Sequence, residues 1–346
     1  PYRKRKTRTR KIMLDGKTKD IGPIVAAIGV FDGVHQGHRL LIGSAIMKAE
    51  EMGCRSAVIT FDRDPDELFA SAARGVRHIL CDEDRVKLLS TLGVDYVIVV
   101  PFTRDFSELA PDDFLDGLST LGIDARALYV GSDFRFGYRA QGTVEVLKGW
   151  CEKYGCEVHA LDLLCDNRRV VTATRIRGDL ERHEIERANR MLDRTHFIRG
   201  SVHKGRGVGK SLGFATANIE PLPDYARIGD GVYAGYALID QQFYRAAISV
   251  GVPSTFGDQP HTIEAHILDF EGELYGNEIA LYFVSFMRPM VTFDTPEELI
   301  QTVLGNISWT RENLPLPSPL PTRQTRAEDA DVSADVRADT SGGKAR

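Results

Sequence analysis

Two histidines three residues apart stand in a glycine-rich segment, residues 29–41, whose sequence is GVFDGVHQGHRLL. His35 and His38 follow soon after the apolar run PIVAAIGV, which is typical of a buried strand. If a helix begins at about His35, its first N–H groups have no partner inside the helix and attract anions. Residues three apart lie on one helix face, so both imidazoles can reach one ligand. The segment therefore predicts a phosphate site, especially for a phosphate whose charge grows during a reaction.

A metal site is the main alternative at this place. Asp32, His35 and His38 have the spacing D-x-x-H-x-x-H, and imidazole and carboxylate groups bind divalent metals. Gly33 and Gly37 favour phosphate instead, because glycine lets the backbone approach a bound group closely. The change from strand to helix is also typical of phosphate-binding loops. We therefore expect phosphate here rather than metal.

The pattern around the two histidines indicates a parallel sheet covered by helices. Between residues 24 and 162, short apolar runs alternate with longer amphipathic ones. Strands that are apolar throughout and separated by helices are typical of an α/β, doubly wound parallel sheet. The predicted strands are IVAAIGV, SAVITF, DYVIVVPF, ALYVGS and CEVHALDLL; the predicted helices are HRLLIGSAIMKAEEM, DEDRVKLLSTLG, PDDFLDGLSTLG and GTVEVLKGWCEKYG. Such sheets bind ligands beyond the carboxyl ends of their strands, which is where the histidines fall.

A second kind of pattern follows a helical stretch, RHEIERANRMLD. From residue 197 to 287, β-like runs are joined by Gly, Asp and Pro turns with no helices between them. The runs are FIRGSVHK, GVYAGYALID, FYRAAISVG, TIEAHILDF and EIALYFVSFM. They predict an antiparallel barrel or sandwich. A closing helix, TPEELIQTVLGNISWTREN, is predicted with Thr295 as its N-cap.

Composition excludes several classes of protein. The 346 residues are 42% hydrophobic with a net charge of -5, so they suit two ordinary domains and indicate neither a nucleic-acid protein nor a membrane protein. No apolar run approaches the roughly 20 residues that span a bilayer. The basic N-terminus lacks an apolar segment behind it, so no signal peptide is predicted and we expect a cytoplasmic protein.

The cysteines and the two ends of the chain carry weaker signals. Five cysteines, an odd number, predict reduced thiols rather than a disulfide framework. A zinc site is the alternative for Cys151, Cys156, His159 and Cys165, but they lack the short C-x-x-C pairs that such sites favour. Residues 1–23 are predicted to form a basic, solvated arm, with an RNA or phosphate contact as the alternative. Residues 314–346 have few large apolar side chains and are predicted to be disordered.

Several motifs in order resemble the bacterial bifunctional riboflavin kinase/FAD synthetase family. GVFDGVHQGH resembles its G-x-F-D-G-x-H-x-G-H signature, which is similar to that of the wider nucleotidyltransferases with H-x-G-H. VGSDFRFGYRAQGTVEVL and TATRIR match two further stretches, and GRGVGKSLGFATANIE, GVYAG and TIEAHILDFEGELYG resemble the kinase half. The likeness runs from about residue 24 to residue 313. It implies an FMN adenylyltransferase domain at 24–183 and a riboflavin kinase β-barrel with a closing helix at 184–313.

The resemblance implies that the first half transfers AMP from ATP to FMN, giving FAD and pyrophosphate. The FMN phosphate is already an anion, so this step needs alignment and charge neutralisation rather than a base. His35 and His38 are the implied catalytic residues. Arginine suits phosphate because it makes bidentate hydrogen bonds. The implied ATP-binding residues are Gly29, Phe31, Asp32, Gly33, His35, His38, Thr174, Arg175 and Arg177, and the residues implied near flavin or nucleotide are Asp133 and Phe136.

The second half is implied to phosphorylate riboflavin with ATP. The ribityl hydroxyl is neutral, so a base is useful, and the resemblance makes Glu264 that base. In TIEAHILDF, alternation puts Ile263, Ala265 and Ile267 on one face and Glu264 on the other. GRGVGKS has three residues between Gly205 and Gly209 where a Walker A loop needs four. The implied phosphate- or flavin-binding residues are Gly205, Arg206, Gly207, Lys210 and Arg288, and Thr216 and Asn218 are implied to hold Mg²⁺.

The chain departs from the family pattern at five positions. Ala215 stands where proline is usual before the implied metal ligands, and Met290 stands where an acidic residue is frequent. Thr172 and Ala173 lie where the family often has two serines, and Asp64 lies where histidine is common. None of these differences removes a residue that the resemblance assigns to chemistry, and those at Ala215 and Met290 concern the kinase reaction.

Two other functions fit parts of the sequence. One is a nucleotidyltransferase for another small phosphate, with a flavin-binding barrel that does not catalyse. The other is a flavin- or RNA-binding regulator without catalysis, against which the presence of His35, His38 and Glu264 argues. The expected partners are riboflavin, FMN and Mg-ATP, with FMN and FAD as products. We expect no membrane or nucleic-acid partner, and a homo-oligomer is left open.

Overall fold

The computed structural model describes residues 9–13, 21–64, 77–120, 122–205, 214–222, 225–251 and 262–316. These residues form a parallel six-stranded sheet followed by a closed six-stranded barrel. Both parts of the predicted fold class are therefore confirmed.

The sheet belongs to the doubly wound class. Its strands are β1 (Arg10–Met13), β2 (Pro23–Ile28), β3 (Arg55–Phe61), β4 (Tyr96–Val100), β5 (Asp124–Gly131) and β6 (Glu157–Leu161). They lie in the order β1-β4-β3-β2-β5-β6, and each neighbouring pair is parallel. From β2 the chain builds β3 and β4 on one side and β5 and β6 on the other. The carboxyl end of β2 is therefore the switch point at which such sheets bind ligands.

Helices cover both faces of the sheet, as the pattern predicts. They are α1 (Gln36–Met52), α2 (Asp82–Ser90), α3 (Arg104–Ser107), α4 (Pro111–Thr120) and α5 (Val144–Tyr154). Successive residues of β2 face opposite sides because the side chains of a strand alternate. Ala26 packs in one buried cluster with Leu147 of α5, whereas Val25 packs in another with Ile42 of α1.

The two ends of the chain correct the sequence predictions. Arg10–Met13 belongs to the predicted solvated arm, but it pairs with β4 as an edge strand, and the Thr9 hydroxyl donates to the Val94 carbonyl oxygen at 2.6 Å. At the other end, the Arg245 Nε donates to the Leu314 carbonyl oxygen at 2.6 Å, so the predicted disorder does not begin at residue 314. Residues 1–8, 14–20 and 317–346 lie outside the described residues.

The barrel is antiparallel throughout. Its strands are β9 (His196–His203), β10 (Ala217–Pro221), β11 (Gly231–Ile239), β12 (Gln242–Gly251), β13 (Thr262–Ile267) and β14 (Glu278–Arg288), in the order β10-β13-β12-β11-β14-β9. A small hairpin, β7 (Cys165–Asp166) and β8 (Arg169–Val170), precedes it. The closing helix α8 (Pro296–Asn313) begins as predicted, because the Thr295 hydroxyl accepts from the Glu298 N–H at 3.2 Å.

One hydrophobic cluster joins the sheet domain to the barrel. It includes Ile176 and Leu180 of helix α6 (Ala173–Glu181) and Met191 of helix α7 (Ile185–Leu192). The same cluster contains Tyr233 and Phe283 from inside the barrel. Because these side chains are all buried together, the barrel supports the segment that follows the sheet.

A buried histidine lies at the start of β9. His196 is fully buried, and neither of its ring nitrogens has a hydrogen-bond partner among the described residues. Burial, with a smaller contribution from the Arg194 charge, lowers the pKa of His196 to about 3. The ring is therefore neutral at pH 7, and protonating it opposes the folded state.

We predict that His196→Leu makes the protein less sensitive to acid. The unfolded chain has a histidine pKa of about 6.5, so it binds the proton preferentially between pH 6.5 and the folded value. Stability is present above that window and is lost as the pH falls through it. For a folded pKa near 3, the loss at pH 5 is about 2 kcal/mol. Urea unfolding at pH 7 and pH 5 measures how much the free energy of unfolding falls on acidification. This fall should be about 2 kcal/mol smaller in the variant than in the wild type.

His203→Leu is the matched control, because His203 is exposed on the same strand. It should keep the acid sensitivity that His196 contributes to the wild type. Equal losses in His196→Leu and wild type would show that His196 does not titrate between the folded and unfolded states as described.

Candidate active site

A cavity of about 280 Å³ opens at the carboxyl ends of β2, β5 and β6. Gly29 and Asp32 line it after β2, Gly131 and Asp133 line it at the end of β5, and Asp162 lines it after β6. The cavity therefore occupies the switch point of the sheet. The phosphate site predicted from the sequence lies at the first of these strand ends.

The turn between β2 and α1 has an unusual backbone. Phe31, Gly33 and Val34 all have positive φ, at 59°, 74° and 44°. A Cβ at position 33 would lie 2.8 Å from the Ile79 Cδ1, so both the conformation and the space require glycine there. Gly37 leaves space for the His35 ring, because a Cβ at position 37 would lie 3.3 Å from that ring.

The two histidines are packed against each other at the beginning of α1. His35 is the N-cap, and its Nδ1 accepts from the His38 N–H at 3.4 Å. The rings stack with their centroids 3.5 Å apart, and His38 meets the edge of Phe31 at 5.2 Å. Since the Nδ1 of His35 accepts, its Nε2 carries the proton of the neutral ring. Both rings line the cavity.

Burial keeps both imidazoles neutral at pH 7. It lowers the pKa of His35 to about 4. It also lowers the pKa of His38 well below the ordinary value, and the neighbouring His35 and Arg85 charges add to the effect. Two stacked cations would repel each other, so the couple takes up at most one proton beyond those of the two neutral rings. At pH 7 the couple can therefore bind a phosphate through hydrogen-bond donors rather than through positive charge.

Asp32 ties the turn to two other segments. Its Oδ1 accepts from the Ile79 N–H at 2.9 Å and the Leu80 N–H at 3.4 Å, and its Oδ2 lies 3.3 Å from the Arg177 Nη1. Burial raises the pKa of Asp32, although nearby cationic groups and these N–H groups oppose the rise. Because both oxygens already contact protein donors, Asp32 is poorly placed to bind a metal together with His35.

The metal alternatives find no support in the described part of the chain. It contains no group of three or more His, Cys, Asp or Glu side chains that could hold a metal ion. For the alternative zinc site, Cys151 and Cys156 are buried while Cys165 is exposed. The His159 Nε2 lies 2.9 Å from the Glu157 carboxylate instead.

The TATRIR motif lies on α6, a helix that the sequence pattern did not predict. Arg177 lines the cavity, and its Nη2 donates to the Thr174 hydroxyl at 3.4 Å. Arg175 turns elsewhere: its Nη1 donates to the Arg169 carbonyl oxygen at 2.8 Å and its Nη2 contacts the Asp166 carboxylate at 2.9 Å. Of the two arginines in the motif, the structure therefore brings Arg177 to the cavity and uses Arg175 to hold the β7–β8 hairpin.

The two residues expected near flavin also separate. Asp133 lines the cavity. Phe136 is buried instead in an aromatic cluster, with its ring 5.4 Å from that of Phe114. Sequence reasoning missed the apolar wall after β6, where Leu163 and Leu164 line the cavity. Their position directly after a parallel strand was the available signal.

The barrel brings three polar side chains into one row. Asn218 of β10 pairs with Glu264 of β13, which pairs with Ser249 of β12. The Thr216 hydroxyl donates to the Glu264 Oε2 at 3.4 Å. The predicted alternation along β13 is confirmed, because Ala265 and its apolar neighbours are buried while Glu264 is partly accessible. The row places a carboxylate, a hydroxyl and an amide together.

The structure describes only some of the remaining candidate residues for the kinase site. Gly205 lies against the Asn218 side chain, leaving no room for a Cβ. The Arg288 Nη1 donates to the Pro289 carbonyl oxygen at 3.1 Å, and burial lowers the pKa of Arg288. The Ser249 hydroxyl, next in the row to Glu264, contacts the Met290 sulfur at 3.5 Å. Three further candidates, Arg206, Gly207 and Lys210, lie outside the described residues.

Comparisons with known proteins divide the chain in the same way. A family model described as FAD synthetase matches residues 17–175, and one described as riboflavin kinase matches residues 192–314. A bifunctional riboflavin kinase/FMN adenylyltransferase of Listeria monocytogenes is 34% identical, covering 80% of this chain and 88% of its own. Proteins of the same name from Bacillus subtilis and Escherichia coli K12 are 31% and 29% identical, covering 81% and 85% of this chain and 89% and 94% of their own.

A solved structure has a similar fold. It comes from Streptococcus pneumoniae, is titled a macrolide-efflux protein, and superposes with a TM-score of 0.79 at 28% identity. The match covers 88% of this chain and 99% of that one. Among the described residues of this chain, no helix is long and apolar enough to cross a membrane.

We predict that Gly33→Ala destabilises the protein by about 1–2 kcal/mol, because alanine is strained at positive φ. Repulsion between the new Cβ and Ile79 adds to this cost. Gly43→Ala is the matched control, since Gly43 lies within α1 and a Cβ added there would meet no atom within 4 Å. That change should stabilise by about 0.5–1 kcal/mol. Chemical unfolding measures both, and a Gly33→Ala protein as stable as wild type would contradict the described turn.

Proposed function

The chain belongs to the family of bifunctional riboflavin kinases and FMN adenylyltransferases, and on that premise we propose which of its residues carry each reaction. Its function is FAD biosynthesis: riboflavin is phosphorylated to FMN by ATP, and FMN then receives AMP from ATP. The observation that carries the site proposal is the stacked His35–His38 couple at the start of α1, facing a cavity at the sheet's switch point.

In the adenylyl transfer, a phosphate oxygen of FMN attacks the α-phosphorus of ATP. The bond between that phosphorus and the oxygen bridging to the β-phosphate breaks, and pyrophosphate leaves. His35 donates from Nε2 to the phosphates, and the free N–H groups at the start of α1 add donors. As negative charge grows on the leaving group, it raises the pKa of the nearer imidazole, which favours protonation of one ring. No base is needed, because the attacking phosphate is already ionised.

The other residues around the cavity have supporting roles in this proposal. Gly29, Phe31 and Gly33 shape the turn that receives ATP. Asp32 holds that turn through its contacts with the neighbouring backbone and Arg177. Arg177 contacts the triphosphate, and Thr174 orients its guanidinium.

The flavin side of the cavity involves a second set of groups. Asp133 and the apolar wall of Leu163 and Leu164 receive the flavin of FMN. We propose that Arg175 supports the hairpin beside the cavity rather than contacting ATP. We propose that Phe136 packs in the buried aromatic cluster rather than contacting the flavin.

In the kinase reaction, Glu264 takes the proton of the ribityl hydroxyl as that oxygen attacks the γ-phosphorus of ATP. The bond between that phosphorus and the oxygen bridging to the β-phosphate breaks, and ADP leaves. The Thr216 hydroxyl, the Asn218 amide and the Glu264 carboxylate gather oxygen donors of the kind that Mg²⁺ prefers, so these residues fit that ion. We assign Thr216 and Asn218 to Mg²⁺, which when bound would neutralise charge on the terminal phosphates of ATP. Arg288, with the sequence segment containing Gly205, Arg206, Gly207 and Lys210, is proposed to contact phosphate or flavin.

The domain division is proposed with one change. The adenylyltransferase domain begins with β1 rather than at residue 24, because β1 completes its sheet. The boundary at residues 183–184 and the kinase barrel to residue 313 are kept as proposed from the sequence. The shared hydrophobic cluster implies that the two domains do not fold independently at this boundary.

His38→Ala should stop FAD formation while FMN accumulates. Loss of a group that stabilises charge in the transition state typically lowers the rate about 10²–10³-fold. Chromatography of flavins after incubation with riboflavin, ATP and Mg²⁺ measures both products. His159→Ala is the control, because the His159 ring stacks on Tyr129 and does not line the cavity. Normal FAD formation by His38→Ala would contradict the assignment.

Glu264→Gln should block riboflavin phosphorylation while supplied FMN is still converted to FAD. Removing a general base typically costs about 10²–10⁴-fold in rate, and glutamine keeps the size of the side chain and a hydrogen-bond acceptor near Thr216. The exposed Glu271→Gln is the matched control. Initial rates of FMN formation from riboflavin and of FAD formation from FMN separate the two effects. If Glu264→Gln forms FMN from riboflavin at the wild-type rate, Glu264 is not the general base of the kinase reaction.

A further inference from the structure

An arginine from beyond the sheet domain reaches back to its ATP turn. Arg194 lies between α7 and β9, and its Nη2 donates to the Gly33 carbonyl oxygen at 2.9 Å. A second contact joins the same regions, because the Gln36 Nε2 donates to the Arg190 carbonyl oxygen at 2.7 Å. The turn before α1 is thus held by a segment about 160 residues later in the chain.

The turn needs such support because its backbone is strained. Phe31 and Val34 have positive φ although neither is glycine. Non-glycine residues keep this conformation only where their surroundings enforce it. Arg85 holds the start of the turn, since its Nη1 donates to the Val30 carbonyl oxygen at 2.5 Å. Arg194 holds the carbonyl group of Gly33 in the middle of the turn.

The two arginines differ in how their charge is balanced. Arg85 forms an ion pair with Asp82 at 2.7 Å. Arg194 forms no ion pair within 4.0 Å in the part of the chain that the structure describes, and its buried Nε has no hydrogen-bond partner there. Burial, with repulsion from Arg39, lowers the pKa of Arg194 to about 10, so the group remains cationic at pH 7. The carboxylates of Asp32 and Asp84 act on Arg194 from beyond ion-pair distance and favour its charged form.

We propose that Arg194 is a positioning residue of the adenylyl-transfer site. By holding the Gly33 carbonyl group it fixes the turn that carries Asp32 and His35, and its positive charge favours a polyphosphate bound at that turn. This inference rests on the proposed placement of ATP at the turn. It makes FAD formation depend on a residue from the kinase side of the chain, whereas riboflavin phosphorylation does not require that residue.

The test uses the full chain with Arg194→Met, Arg194→Lys and the control Arg190→Met. Arg190 is exposed, and its side chain contacts the Glu186 carbonyl oxygen of its own helix. Three reactions are measured: FMN from riboflavin and ATP, FAD from FMN and ATP, and the reverse reaction of FAD with pyrophosphate to give FMN and ATP. Pyrophosphate probes the sheet domain alone, because the kinase reaction neither uses nor forms it.

Arg194→Met should raise the KM for ATP in FAD formation and the KM for pyrophosphate in the reverse reaction about ten- to a hundredfold, as expected for loss of a charged hydrogen bond. Its riboflavin kinase rate should stay unchanged. Arg194→Lys should recover part of the KM because it restores the charge. Arg190→Met should match the wild type in all three reactions.

Different failures have different meanings. If wild-type protein forms FMN but no FAD, the proposed adenylyl-transfer site fails first. If wild type forms FAD and Arg194→Met has wild-type KM values, the role of Arg194 is overturned while the proposed function stands. If all three activities fall equally in Arg194→Met and Arg194→Lys, the positioning role of Arg194 is overturned and its role is purely structural. If Arg194→Met does not fold, the neutral Arg194→Gln decides, and a wild-type KM for pyrophosphate in that variant overturns the proposal.

Discussion

The carboxylate of Asp32 is the interaction on which the candidate adenylyl-transfer site depends. It binds the backbone N–H groups of Ile79 and Leu80 on one side and Arg177 on the other. The segment that supplies those N–H groups also pairs with the barrel, since the Ala226 N–H donates to the His78 carbonyl oxygen at 2.5 Å. One buried acid therefore connects the turn, the motif on α6 and, through a short bridge, the second domain.

The electrostatics of the turn follow from this arrangement. Because burial keeps His35 and His38 neutral, the charge that attracts a polyphosphate must come from groups around the couple. Arg177 reaches the cavity itself, and Arg85 contributes to keeping His38 neutral. A neutral imidazole couple can respond to growing negative charge by taking up a proton, which a pair already charged could not do. The site thus combines fixed cations with groups that are able to change their charge.

Sequence patterns predicted what depends on local periodicity and failed where distant segments meet. The predicted strands, their alternation and the Thr295 cap follow from neighbouring residues, and the structure confirms them, whereas β1 and β10 were not predicted. The different directions of Arg175 and Arg177 did not follow, because TATRIR was not predicted to be helical and residues two apart on a helix face apart. The contact of Arg194 with Gly33 spans two domains, so no local pattern could indicate it.

The charge of each nucleophile explains why one chain contains two such different sites. FMN brings an ionised phosphate, so the sheet domain needs only donors that align two anions, and we propose that the start of α1 with its histidine couple supplies them. Riboflavin brings a neutral hydroxyl, so the barrel needs a carboxylate near oxygen donors, as found in the row of Asn218 and Glu264. A helix N-terminus suits the first task because it attracts anions, and it would oppose the second because it stabilises a carboxylate and weakens it as a base. Placing the two reactions on separate folds avoids that conflict.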